Sequence, residues 1–161
     1  MIMAYKGFKK DLSCTRGGHR FQYQEGVWHE EEEAKCVSTG LHCAENPLDC
    51  LDYYPDMKNS VYYIVLADGD VHEDGTDSKI SCTRMKLVKE LGLKEFVMHS
   101  LNYIFRHPYR EDNRRVKKDV GEAEGGFAVV RGKEPMAKGK PGDILAFAKE
   151  EPGGRDISEL G

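Results

Sequence analysis

The chain of 161 residues has the length of about one domain, on a prior of roughly 150 residues per domain. Hydrophobic residues make up 39% of it and charged residues 32%, a balance that excludes both a disordered polar polymer and a membrane-embedded chain. With 28 acidic against 24 basic residues and a formal charge of −4, it has no global positive field to gather nucleic acid or anionic lipid, so polyanion binding needs a local patch.

In chain order, Met3–Phe8 reads as a short apolar strand, and Lys9–Arg20 as a basic, turn-rich stretch. Phe21–Tyr23 alternates as strands do, and Glu25-Gly26 turns into a second short strand at Trp28. Glu30–Glu33 is a run of like charges and reads as a solvated face. Asn46 and Pro47 suit the cap and first residue of a helix, because proline lacks only an N–H that would go unpaired there. The helix is expected to run to Tyr54 with Leu48 and Leu51 on one face, and Pro55 ends it. Ser60–Ala67 is rich in β-branched and aromatic residues and near-continuously apolar, as a buried strand is.

Asp68–Asp77 reads as an exposed acidic loop without the ligand spacing of a calcium loop. Lys79–Leu87 fits a strand or the start of a helix. Leu93, Phe96, Val97, Leu101, Ile104 and Phe105 recur at three and four residues, which predicts an amphipathic helix packed on the strand Val61–Leu66. Arg106–Lys118 holds six basic residues against Glu111 and Asp112. Arg110, Arg114, Arg115, Lys117 and Lys118 form the candidate docking surface for an acidic partner, with nucleic acid a weaker expectation. Small residues then lead to a strand at Asp143–Ala148 and a polar tail.

The expected fold class is therefore α+β: a mixed sheet with one main amphipathic helix, followed by a short β-rich C-terminal element. The expected divisions are an α+β domain over 1–106, a basic linker over 107–120, a short β-roll-like element over 121–149 and a flexible tail over 150–161. The opening residues lack the apolar run of a signal peptide, and no segment approaches the roughly 20 apolar residues of a spanning helix. A cytoplasmic location and no membrane partner follow as expectations. Cysteines at 14, 36, 43, 50 and 82 are odd in number and read as reduced thiols.

Two constellations bear on chemistry. Cys36, His42, Cys43 and Cys50 are the residue types of a zinc site, but no Cys-x-x-Cys pair exists, and half-buried core cysteines are the expected reading, with no metal. Adjacent residues on a strand point to opposite faces, so His42 is not placed to activate Cys43 as a nucleophile.

The order Tyr5-Lys-Gly-Phe8, then Gly40-Leu-His-Cys-Ala-Glu-Asn-Pro-Leu-Asp49, then Tyr53-Tyr54 and the strand Val61–Leu66 resembles the ADP-ribosyltransferase superfamily. The resemblance implies a nucleotide pocket lined by Tyr5, Gly40, His42 and Glu45, with NAD or a derivative as its ligand. Lys6 and His42 stand where that family has histidine and tyrosine, and are the only candidates for a catalytic role.

Over the whole chain, those segments together with Phe21-Gln-Tyr23, Thr76-Asp-Ser-Lys79 and Ala137-Lys-Gly139 are similar to an uncharacterised family of phage and prophage proteins. Its members carry β-rolls like those of trimeric bacterial adhesin heads, and Ala128–Gly132 and Met136–Gly139 look like the last rungs of one. That resemblance implies a phage-encoded accessory protein in the bacterial cytoplasm. It binds and modulates a host or defence protein without turnover, needs no cofactor, and forms a homo-oligomer through the C-terminal element. The alternative is a divergent ADP-ribosyltransferase-like enzyme or an NAD-derivative-binding protein.

Overall fold

A computed structural model describes residues 1–16, 19–34, 39–75 and 77–161. The chain divides into two compact units, Met1–Leu91 and Gly92–Gly161.

The first unit holds the strands β1 (Ile2–Lys9), β2 (Ser13–Arg16), β3 (His19–Gln22), β4 (Trp28–Glu30), β5 (Leu41–Ala44), β6 (Ser60–Glu73) and β7 (Lys79–Leu91). β1 pairs with β5 and β6, β6 pairs with β7, and β7 pairs with β5, all antiparallel, so the ladders close into a ring of four strands. β4 pairs with β7 beside β5, and β2 with β3 forms a separate ribbon. A closed ring leaves few bare edges, and alternate residues of each strand fill it. Ala4, Phe8, Leu41, Cys43, Val65, Ala67, Ile80, Cys82, Met85 and Leu87 make that core. Burying each of its large apolar side chains is worth about 1.5–3 kcal/mol. Lys6 stands between Ala4 and Phe8 at the inward period of β1.

The fold class differs from the α+β expectation. Strands take 54% of the chain and helices 14%, which makes the protein mostly β, with several sheets in place of one mixed sheet under a main helix. The acidic stretch Asp68–Asp77 accounts for much of the difference. Its charges face solvent while its backbone continues β6 to Glu73, and the ladder with β7 slips between Asp68 and Val71 and then resumes at Val71↔Cys82. Gly69 takes φ +76° in that bulge, where the acidic side chains remain solvated and the main chain stays paired. The expected helix over Asn46–Tyr54 is a 3-10 turn, Pro47–Asp49, followed by one helical turn, α1 (Cys50–Tyr53). Asn46 does cap it, its Oδ1 accepting from the Leu48 N–H at 3.1 Å.

The second unit holds α2 (Leu93–Arg106) and the strands β8 (Val116–Glu122), β9 (Phe127–Lys138), β10 (Ile144–Glu150) and β11 (Ile157–Leu160). Phe96, Val97, Leu101 and Ile104 are the buried face of α2. That face lies on β9, β10 and β11 of its own unit, whereas the sequence reading had placed it on Val61–Leu66. The unit boundary at 91/92 accordingly precedes the helix instead of following it at 106.

The four strands form one sheet in the order β11-β10-β9-β8. β8, β9 and β10 run parallel, with Val116 beside Val129 and Ile144 beside Phe127, while β11 returns antiparallel on β10. Successive passes of the chain therefore lie beside one another. The β8–β9 ladder breaks between Lys118 and Val120, where Asp119 takes φ +64°. The stretch read as a linker thus contributes β8, and the stretch read as a flexible tail contributes β11, with the Gly161 N–H donating to the Phe147 carbonyl at 3.1 Å.

Arg131, only 3% exposed, organises this unit. Its guanidinium bonds Asp112 at 2.9 Å and Glu150 at 2.8 Å, and donates to the carbonyls of Pro108 at 2.6 Å and Arg155 at 2.9 Å. A buried cation is tolerated when it is paired and hydrogen-bonded in this way. No helix among the described residues is long and apolar enough to cross a membrane.

Candidate ligand pocket of the N-terminal unit

Two close approaches shape a cavity in the first unit. A Cβ on Gly7 would stand 2.8 Å from the Tyr54 ring, so only glycine lets that ring lie on β1. Gly40 takes φ +92°, and a Cβ there would meet the Ala34 backbone at 2.9 Å.

A buried polar clamp fixes the segment after β5. The Ser78 hydroxyl donates to the Asp49 carboxylate at 2.6 Å and accepts from the Asn46 N–H at 2.9 Å. The Glu45 N–H donates to the Ser78 carbonyl at 3.0 Å. The Glu-Asn-Pro-Leu-Asp run is therefore a structural latch that sets α1, and with it Tyr53 and Tyr54, beside β1. Thr76, part of a sequence-singled motif, lies outside the described residues.

The cavity these elements enclose measures about 450 Å³, and its walls include Lys6, Lys9, Lys79 and His42 but no Asp or Glu among the described residues. For a chain of net charge −4, three lysines with no carboxylate lining the cavity make a local departure, offset at Lys79 by Asp77 and Asp74 nearby. The Lys6 Nζ donates to the His42 main-chain carbonyl at 2.6 Å and stands 5.5 Å from the centroids of both Phe8 and Tyr23. No carboxylate pairs with Lys6 among the described residues. The Lys9 Nζ donates to the Thr15 hydroxyl at 3.2 Å. The Lys79 Nζ sits 4.2 Å over the Tyr53 ring. Burial pulls the Lys79 amine down, but the Tyr53 hydroxyl and the Asp77 and Asp74 carboxylates outweigh it, so its pKa lies above the ordinary value and the amine stays charged.

Cys14, Cys43 and Cys50 share these walls. Burial pushes the Cys50 thiol up to about 12. A hydrogen bond to Cys82 and burial hold the Cys43 thiol well above its ordinary range, and the same bond draws Cys82 below its own. The wall thiols at 43 and 50 are protonated at neutral pH and weakly nucleophilic. No group of three or more His, Cys, Asp or Glu among the described residues is placed to hold a metal ion. Cys36 lies outside the described residues.

The structure brings Tyr5, Lys6, Gly40 and His42 into one cavity. It leaves Glu45 outside the walls, at the latch. Sequence reasoning missed Lys9, Lys79, Tyr53 and Tyr54 as wall residues. The pairing that brings Lys79 to the site, Tyr5↔Ala44 and then Ala44↔Lys79 across three strands, leaves no local signature. Of the candidate docking residues, Arg110, Arg114 and Lys118 are exposed, and Arg115 and Lys117 are half-buried. The Lys117 Nζ lies 3.7 Å from Glu124.

A family model described as "Domain of unknown function (DUF7666)" matches residues 2–99, a stretch that contains the whole pocket. No curated protein and no solved structure matches the chain.

Proposed function

The chain belongs to the DUF7666 domain family, and we propose that its N-terminal unit is a binding module that holds a small anionic ligand without turnover. The observation that carries this reading is the cavity of about 450 Å³ walled by Lys6, Lys9 and Lys79 and by no described carboxylate. Cavities of this volume suit small molecules, and the Lys6 ammonium, which pairs with no carboxylate among the described residues, attracts a negative group strongly on a partly apolar wall because little water screens it. The chemistry of the walls favours binding over turnover. The thiols at 43 and 50 are protonated, and Lys6, whose ammonium donates to the His42 carbonyl, is not placed as a base.

The ADP-ribosyltransferase-like reading shares this pocket and differs in requiring a reaction. The test is a thermal-shift screen of the whole chain with NAD, ADP-ribose, cyclic and linear nucleotides and inorganic phosphate, with each compound checked for consumption. Ligand at 100 times its dissociation constant should stabilise the fold by about 2.7 kcal/mol. A saturable shift with the compound recovered intact supports the binding module. Release of nicotinamide supports the transferase, and no shift with any anion overturns the reading.

A second reading takes the protein as a phage-encoded accessory factor that occupies a host or defence protein. The exposure of Arg110, Arg114 and Lys118 favours an acidic partner for it. Reversing the charge at Arg114, Arg115, Lys117 and Lys118 should slow association with that partner while leaving the fold intact, because such charges act mainly on encounter rates.

A further inference from the structure

We infer that the ligand is a nucleoside phosphate, its phosphate against Lys6 and its base against the tyrosines of α1 and the loop after it. The inference rests on the binding-module reading above and adds to it the ligand's second half. Five of the seventeen wall residues are aromatic, against 9% of the chain, so the cavity offers flat apolar surface as well as charge.

Both features line the same cavity. Lys6 is half-buried, and its Nζ stands beside the Phe8 and Tyr23 rings, 5.5 Å from each centroid. Those rings pack edge to face at 5.1 Å, and the ammonium beside them is tied to the His42 carbonyl at 2.6 Å. Its bond to the His42 carbonyl uses one of three N–H groups, leaving two to donate.

Tyr53, in the same walls, is 51% exposed, with the Lys79 ammonium over its ring and its hydroxyl held by Asp77 at 3.2 Å. A tyrosine fixed in this way and still half open is a stacking surface. Tyr54 stands beside it, with its carbonyl accepting from the Tyr62 hydroxyl at 2.5 Å. An ammonium and flat rings in the walls of one cavity match a phosphate joined to a heteroaromatic base. A bare anion leaves the rings unused, and a neutral base leaves Lys6 unpaired. Stacking of a base on an aromatic side chain is a substantial and base-tolerant contribution, so the geometry specifies the class of ligand and leaves the choice of base to the remaining walls.

The experiment is a calorimetric titration of the whole chain with each of the four nucleoside 5′-monophosphates, the four nucleosides, ribose 5-phosphate, phosphotyrosine and inorganic phosphate. At least one nucleoside monophosphate should bind ten times or more tightly than ribose 5-phosphate, its own nucleoside and phosphotyrosine. Lys6→Met should weaken that binding at least tenfold, to the level of the nucleoside. Tyr53→Ala, at an exposed position, should weaken it toward ribose 5-phosphate, and it keeps the test decisive if Lys6→Met fails to fold. Equal binding of ribose 5-phosphate or inorganic phosphate overturns the nucleotide inference and leaves the small-anion reading standing. Tightest binding by phosphotyrosine assigns the pocket to a phosphorylated peptide and also overturns it. No binding by any of these overturns both.

Discussion

Lys6 on β1 donates a hydrogen bond to the main-chain carbonyl of His42 on β5 at 2.6 Å. The two strands share a single backbone register pair, Tyr5↔Ala44, so this side-chain bond is a second tie across the same seam. Lys6 thus has two roles, closing the strand ring and holding a positive charge in the pocket. Its replacement by methionine should cost about 1.5–3 kcal/mol, the range for a hydrogen bond to a charged group. Denaturant unfolding monitored by circular dichroism should show a lower midpoint with an unchanged slope. An unchanged midpoint would mean that the bond contributes nothing to the seam.

The latch at Ser78 makes a prediction independent of any ligand. Ser78→Ala removes the partner of a buried carboxylate and of the Asn46 N–H, which should destabilise the first unit by about 1–3 kcal/mol. Asp49→Ala should cost a similar amount. The double variant should cost less than the sum of the two, because both remove the same contact. Additive losses would show that the two residues act separately.

Alkaline pH should unfold the protein through its thiols. Burial raises the folded Cys50 thiol from its ordinary 9.0 to about 12, so between those values the unfolded chain has lost a proton that the folded chain keeps. Stability is then independent of this group below pH 9, and falls by about 1.4 kcal/mol per pH unit as pH rises from 9 toward 12. Burial also raises the Tyr63 hydroxyl, to about 12, and adds to the loss, while the lowered Cys82 thiol acts in the opposite sense. Cys50→Ala should flatten the slope of stability against pH above 9 by one thiol's share, as melting temperatures across that range would show. An identical slope would contradict the burial of an ionisable thiol at 50.

In the second unit Arg131 holds the chain at Pro108, Asp112 and Arg155 to β9 and β10. Arg131→Met leaves the Asp112 and Glu150 carboxylates without their shared cation and should cost about 3–5 kcal/mol. Hydrogen exchange should show the loss first in β9, β10 and α2. Protection there equal to that of the unsubstituted chain would contradict the role of Arg131 as organiser.

The legible parts of the sequence were those in which one residue's neighbours in the chain decide its structure. The three- and four-residue spacing of Phe96, Val97, Leu101 and Ile104 marked α2, and the β-branched and aromatic run from Val61 marked the start of β6. Asn46 and Pro47 marked a capped helix start, where the structure has a 3-10 turn and a single helical turn. Elements decided by distant pairing were hidden. The acidic residues after Ala67 looked like loop because their side chains are solvated, yet the backbone there pairs with β7, and this shortened both strands of the hairpin in the reading. Ile157–Leu160 looked like tail because four residues carry too little pattern to show that β10 awaits them.

The pocket followed the same division. Tyr5, Lys6, Gly40 and His42 were singled out as short motifs. Lys79 enters through a three-strand row and Tyr53 through the latch on Ser78, neither of which local spacing encodes. Arg131 stood inside a run of small and branched residues, and nothing near it in the chain revealed that its partners lie 19 to 24 residues away.

The central claim is that the first unit binds an anion at Lys6, and the most direct test is a nuclear magnetic resonance titration of the isotope-labelled whole chain with the nucleoside monophosphate that binds tightest. Shift changes concentrated at Lys6, His42, Cys43, Tyr53 and Tyr54, saturating together and lost in Lys6→Met, are the result this account predicts. Changes concentrated instead at Arg110, Arg114, Arg115, Lys117 and Lys118, or spread without saturation over the surface, would contradict it.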